Sequence, residues 1–173
     1  AFREIQAAQA LREFQAIVKQ RPGNYGAQTM VGIALEALGR TDEARKQYET
    51  IVAARPNAAV AANNLAWLYA QTGGNLDVAL QMAQDAKRAL PDSPEIDDTL
   101  GHIYLRKNMP ALALRPLRAA AAKLPGNPVV RWHLAQALAG TGDKAGAIAE
   151  IEAPWDLTQS STVPPMPGRS WRS

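Results

Sequence analysis

Between Val60 and Gln71 the apolar residues return at a helical interval. Ala62, Leu65, Ala66 and Tyr69 stand at i, i+3, i+4 and i+7, the stripe an amphipathic helix buries. Asn63, Asn64 and Trp67 lie off that stripe and need another reason for being there. Similar stripes recur along the chain. Nowhere do Val, Ile, Thr and Tyr alternate over a strand-length run, so the pattern predicts an all-α protein with no sheet.

Four prolines set a period. Pro22, Pro56, Pro91 and Pro125 are 34, 35 and 34 residues apart. Between them the same offsets carry the same kinds of residue. The first unit has Val31-Gly32, Leu35, Ala44 and Tyr48. The second has Leu65-Ala66, Tyr69, Ala79, Ala83 and Ala86. The third has Leu100-Gly101, Tyr104, Ala113, Leu117 and Ala120, and the fourth Leu134-Ala135, Leu138, Ala147 and Ile151. The one extra residue falls in Thr72-Gly73-Gly74-Asn75, a turn, where insertion is cheap.

A period near 34 built from paired helices, with these residues in register, resembles the tetratricopeptide repeat family across about residues 2–152. The resemblance implies a right-handed superhelical solenoid of antiparallel helix pairs. Four pairs are expected, at about 25–56, 59–91, 94–125 and 128–153, preceded by a lone second helix within 1–21. The small residues Gly32, Ala66, Gly101 and Ala135 face the small residues Ala44, Ala79, Ala113 and Ala147 that open the second helices. They let the two helices touch; larger side chains are expected to cost about 1–3 kcal/mol. Where the family often has an early tryptophan, this chain has Gln28, Ala62, Asp97 and Arg131.

Helix boundaries carry their own chemistry. Ser93-Pro94 and Asn127-Pro128 place a capping side chain before a proline at the first helical position. Thr41-Asp42-Glu43 and Thr141-Gly142-Asp143 are expected to cap second helices, and Gly39 and Gly73 to end first helices in the left-handed conformation. In the opening helix Ala10, Phe14 and Ile17 occupy the family's second-helix positions, so the chain is expected to start mid-repeat as part of a longer array. Pro154 is expected to stop the last helix near Glu152. Residues 154–173, with Pro164, Pro165, Pro167, Trp155 and Trp171, read as an extended tail. Such a tail is expected to dock along its own array or mediate self-association; a vector-derived end is the alternative.

Composition refines this picture. Hydrophobic residues make up 47% but aromatics only 6%, which suits helices packed through alanine. The net charge of +3 is too small to argue for nucleic acid. Cysteine is absent, which excludes disulfides and thiolate metal sites. No apolar run approaches the roughly 18 residues of a membrane span.

On the family template the first helices line a concave groove. It would receive Thr29, Met30 and Ile33; Asn63, Asn64, Trp67 and Gln71; Asp98, Thr99, His102 and Arg106; and Trp132, His133 and Gln136. Tryptophans and apolar residues suit partner side chains, and carboxamides suit a partner's backbone. Chaperone-binding relatives clamp a C-terminal carboxylate with lysines, an arginine and asparagines. Asn64 matches that set, but Thr29, Ile33, Glu95 and Thr99 do not, so the clamp is rejected. Asp98, His102 and His133 are the only arrangement resembling a metal site, and polar groove residues at helical spacing are ordinary in this fold, so no metal or other cofactor is expected. Asp92, Glu95, Asp97 and Asp98 form an acidic run. Arg106, Lys107, Arg115, Arg118, Lys123 and Arg131 form a basic stretch expected on the convex side or edge, without the interleaved aromatics that bases stack on.

No catalytic motif is present: there is no nucleophile elbow, glycine-rich phosphate loop or HExxH. The function expected is a non-enzymatic interaction scaffold holding a peptide or helix in its groove. The alternative is a structural spacer with an empty groove, in a bacterial envelope or exopolysaccharide-export assembly. Asn63–Tyr69 and Leu90–Gly101 resemble the C-terminal repeats of bacterial tetratricopeptide lipoproteins of exopolysaccharide and exosortase (PEP-CTERM) systems, over about residues 55–150. That resemblance implies a periplasmic or envelope setting, with the cytoplasm as the alternative.

Overall fold

The computed structural model describes residues 2–153. Nine helices run in order among them: α1 (Phe2–Gln20), α2 (Tyr25–Ala37), α3 (Thr41–Ala54), α4 (Ala59–Thr72), α5 (Leu76–Ala89), α6 (Pro94–Arg106), α7 (Pro110–Lys123), α8 (Pro128–Gly140) and α9 (Lys144–Glu152). No strand occurs among the described residues. The tail, and with it Trp155, Trp171 and the docking expected of them, lies outside them.

Each helix packs on its chain neighbours. In addition α4 touches α6, and α6 touches α8, so these three helices form a continuous inner row. The odd-numbered helices lean on that row from outside. This is a superhelical solenoid, whose cohesion is local and repeats from unit to unit.

The inner and outer helices approach through matched sizes. Gly32 faces Tyr48: a Cβ at Gly32 would lie 2.7 Å from Tyr48 Cζ, with Cε1 closer still. Gly101 faces Leu117 in the same way, with Leu117 Cδ1 at 2.9 Å and Cγ and Cδ2 closer. In the second unit the small residue is Ala66, and the outer residue shrinks to Ala83; both are fully buried in one cluster. Glycine therefore meets a large side chain where alanine stands with alanine.

The turns repeat as well. Gly39, Gly73 and Gly142 have φ of 70°, 77° and 90°, and Asn108 takes the same left-handed place with φ 58°. Asparagine tolerates this conformation better than other side-chain-bearing residues. The extra residue of the second unit is Gly74, folded back against Tyr69. Ser93, Asn127 and Asp143 cap α6, α8 and α9, as the sequence suggests, and Asn24 and Asn75 cap α2 and α5.

Two expectations change. Thr41 does not cap α3: the N-cap is Arg40, whose guanidinium instead grips Glu43, with Nε and Nη2 each donating at 2.7 Å. In α1 Ala7 and Leu11 are buried and Ala10 and Phe14 pack against the same core as expected, while Ile17 is 39% exposed. Helix α9 ends at Glu152, beside Pro154.

Candidate functional site

The even-numbered helices carry three recurring positions, those that the family template assigns to the groove. The first is Thr29, Asn63, Asp98 and Trp132; the second Met30, Asn64, Thr99 and His133; the third Ile33, Trp67, His102 and Gln136. Their burial differs sharply. Thr29 and Thr99 are buried and donate to the carbonyls one turn back, Tyr25 at 2.8 Å and Glu95 at 2.9 Å. Asn63, Asp98 and His133 are also buried, so they lie beneath the groove surface rather than on it. Asn64, Trp67 and His102 are half-buried, and Met30, Arg106, Trp132 and Gln136 are exposed.

At the α2 end, a cleft of roughly 710 Å³ opens between the first turns of α2 and α4. Tyr25, Met30, Ile33, Val60 and Ala61 give it an apolar floor. Arg55 stands at its rim with its guanidinium over the Tyr25 ring, 5.2 Å from the centroid. Ile33 and Met30 are thus brought together; the sequence reading missed Tyr25, Val60 and Arg55, which come from the helix starts and an inter-unit turn.

Between α2, α3 and α4 runs a polar relay. The Tyr48 hydroxyl donates to Glu36 Oε1 at 2.5 Å. Asn64 Nδ2 donates to the Tyr48 oxygen at 3.1 Å, and Asn63 Nδ2 faces Asn64 Oδ1 at 3.5 Å. Burial pushes the Glu36 carboxyl above its ordinary value, against the opposing Tyr48 hydrogen bond, and burial together with Glu36 pushes the Tyr48 hydroxyl up. Glu36 follows Ile33 by about one helical turn, and that spacing was the cue to it.

The raised Glu36 value has a measurable consequence. Its stabilising contribution is complete below the unfolded value near 4.5 and fades as pH rises through the higher folded value. Glu36→Gln keeps an acceptor for Tyr48 and has no proton to lose. Thermal melts across the weakly acidic range should show the parent Tm falling with pH relative to Glu36→Gln. Parallel profiles would refute the assignment.

The third feature is a cluster of rings at the centre of the inner row. Trp67 and His102 have ring centroids 4.7 Å apart, His102 and His133 also 4.7 Å, and Trp67 and His133 5.7 Å. His133 Nδ1 lies 2.8 Å from Asp98 Oδ1. A carboxylate only accepts, so Nδ1 carries the proton and donates. Burial first, then the neighbouring His133 and Arg106, push His102 down to about 3, so its ring is neutral at neutral pH. The Asp98 carboxylate is occupied by His133, and among the described residues no three His, Asp or Glu side chains converge as metal ligands. Two polar atoms here are buried without a partner: Asn63 Oδ1 and His102 Nε2.

The acidic run does not form a surface patch. Asp97 pairs with Lys87 at 2.7 Å, Asp98 with His133, Asp92 with Lys123, and Glu95 accepts from Ser93. The basic stretch is equally dispersed. Lys107 pairs with Asp77, and Arg131 with Glu150 at 3.1 Å and with the Pro125 carbonyl. Arg115 and Arg118 remain exposed on α7 without an ion pair among the described residues.

A tetratricopeptide repeat profile matches residues 6–59, 29–94 and 99–153. Solved structures agree in fold. A thermophilic TPR protein from Thermus thermophilus is 23% identical with a TM-score of 0.68, over 83% of this chain and 79% of that one. MamA from Desulfovibrio magneticus RS-1 is 19% identical with a TM-score of 0.66, over 83% and 81%. The APC/C hetero-tetramer Cut9–Hcn1 gives 19% and 0.71, over 83% of this chain and 28% of that one. A search of curated proteins gives no match. At these identities the structural likeness is one of fold.

Proposed function

The chain belongs to the tetratricopeptide repeat family, whose members are protein–protein interaction modules and generally non-enzymatic scaffolds, and from that premise we propose that its concave face holds a peptide segment or helix of a partner protein. The observation that carries this is the cleft at the α2–α4 end. Its floor is apolar, and Met30 and Val60 remain substantially exposed within it. An apolar concavity with one cation at its rim suits an apolar anchor residue of a partner. Beyond it the groove turns polar and aromatic, through Asn64, Trp67 and His102, as expected where a bound segment needs orientation as well as burial. The Cut9–Hcn1 neighbour is itself a hetero-tetramer, a precedent for the fold receiving another chain.

The test uses peptides selected from a displayed library on the full chain, with binding measured by calorimetry. Ile33→Glu and Met30→Glu place a charge on the cleft floor and are expected to weaken binding by about tenfold or more, the effect of roughly 1.4 kcal/mol. Arg118→Glu, on the outer helix α7, should leave binding within about twofold. Equal losses from inner and outer substitutions, or none from the inner pair, would overturn the groove assignment.

A further inference from the structure

Resting on that reading, we infer that the segment seated in the α2–α4 cleft is Trp155-Asp156-Leu157 of a second copy of this chain, so that copies associate head to tail. Charge points to this occupant. The cleft is lined from residues 23–33 and 55–61. These lie within 14–35 and 50–76, stretches that carry Lys19, Arg21 and Arg55 and no acidic residue. The Arg55 guanidinium lies over the Tyr25 ring and makes no ion pair among the described residues. The chain after Lys144 has the opposite balance. From 145 to 168 it holds Glu150, Glu152 and Asp156 and neither lysine nor arginine. Glu150 is taken by Arg131, and Glu152 and Asp156 flank Trp155.

Apolar character points the same way. Ala153 leaves α9 extended, with φ −63° and ψ 146°, and the ring of Pro154 holds its own φ at about −65°. In an extended segment successive side chains alternate. Trp155 and Leu157 can then meet the floor of Met30, Ile33 and Val60 while Asp156 meets Arg55 at the rim. Tryptophan is a typical anchor for such a pocket. Just before it, Ile148 and Ile151 stand three apart on α9 and are 54% and 45% exposed, so the donor end is apolar as well.

The contact has to join two molecules. The inner row runs from α4 through α6 to α8, so the cleft and the end of α9 lie at opposite ends of it. Two interaxial steps from α8 to α4 amount to about 16–20 Å, whereas the two residues from Ala153 to Trp155 reach about 7 Å. A chain cannot fill its own cleft with this tryptophan. A second copy can, and the contact is heterologous: each copy keeps one free cleft and one free segment.

Sedimentation velocity of the full chain over a concentration series tests this. The parent should associate progressively as concentration rises. Trp155→Ser and Met30→Glu should each weaken association by at least about tenfold. An equimolar mixture of these two variants should nevertheless give a one-to-one dimer and nothing longer, because one keeps the cleft and the other the segment. Asp156→Arg and Arg55→Asp should each weaken association about threefold, and the two together should restore it; this charge swap carries the test should Met30→Glu melt early. A parent that stays monomeric into the millimolar range, association indifferent to Trp155→Ser, a mixture that remains monomeric, or a charge swap without restoration would overturn the inference. If the parent is monomeric while library-selected peptides lose binding on Ile33→Glu, this occupant falls and the groove reading stands with another protein as partner. If association persists in Met30→Glu and no selected peptide responds to that change, the groove reading falls with it.

Discussion

Asp98→Ala is expected to lower the unfolding free energy by about 1–3 kcal/mol, the cost of leaving a buried hydrogen-bond donor without its acceptor. His133 is buried, its Nδ1 is 2.8 Å from Asp98, and its other face is covered by the His102 ring. Without the carboxylate its N–H has no acceptor in that position. Asp98→Asn retains a carbonyl oxygen for the bond and should lose about half as much, in the range of a neutral hydrogen bond. Asp98→Ala combined with His133→Phe removes both partners and should recover most of the loss, because an apolar pair needs no compensation. Urea denaturation midpoints decide the matter. If the double variant is as unstable as the sum of its parts, the pair is not what holds α6 to α8.

Gly101→Ala is expected to destabilise as well, although alanine is the better helix former by about 1 kcal/mol. The new methyl would overlap the Leu117 side chain, and overpacking of this kind costs about 1–3 kcal/mol. Leu117→Ala alone should cost about 2–5 kcal/mol through the cavity left in a fully buried place. The combination recreates the Ala66–Ala83 solution of the second unit, so its loss should fall clearly short of the sum. Strict additivity in a double-mutant cycle would mean that the two residues do not share one volume.

That pairing shows how far periodicity carries. Gly32, Ala66, Gly101 and Ala135 stand at one offset, and Tyr48, Ala83 and Leu117 at another, in the bare sequence. Their small size is visible there, yet the inverse matching appears once the helices are seen in contact. Capping followed a similar course. Ser93, Asn127 and Asp143 act within three residues of themselves, so local chemistry is enough to find them. Thr41 misleads because a hydroxyl near a helix start resembles a cap, whereas the backbone there leaves the helix one residue earlier, at Arg40.

The candidate site was legible to a lesser degree. Met30, Ile33, Asn64, Trp67 and His102 could be assigned to the inner row because a repeat register places whole helices. Which of them stays open could not. Arg106, Trp132 and Gln136 are exposed, while Asn63, Asp98 and His133 are buried.

The sequence by itself determined the helices, their pairing, the turn positions and the membership of an inner and an outer row. These depend on contacts within one turn or one repeat, and the 34-residue period states them four times over. The tertiary structure alone decided that Asp98 meets His133, that Asp97 meets Lys87, and that the relay from Glu36 ends on Asn63. Asp98–His133, Asp97–Lys87 and Asn64–Tyr48 join side chains of different units, and their meeting depends on how far each unit rotates past the last. That rotation is set by packed volumes summed over two helices, Ala against Ala or Gly against Leu, and no single residue records it.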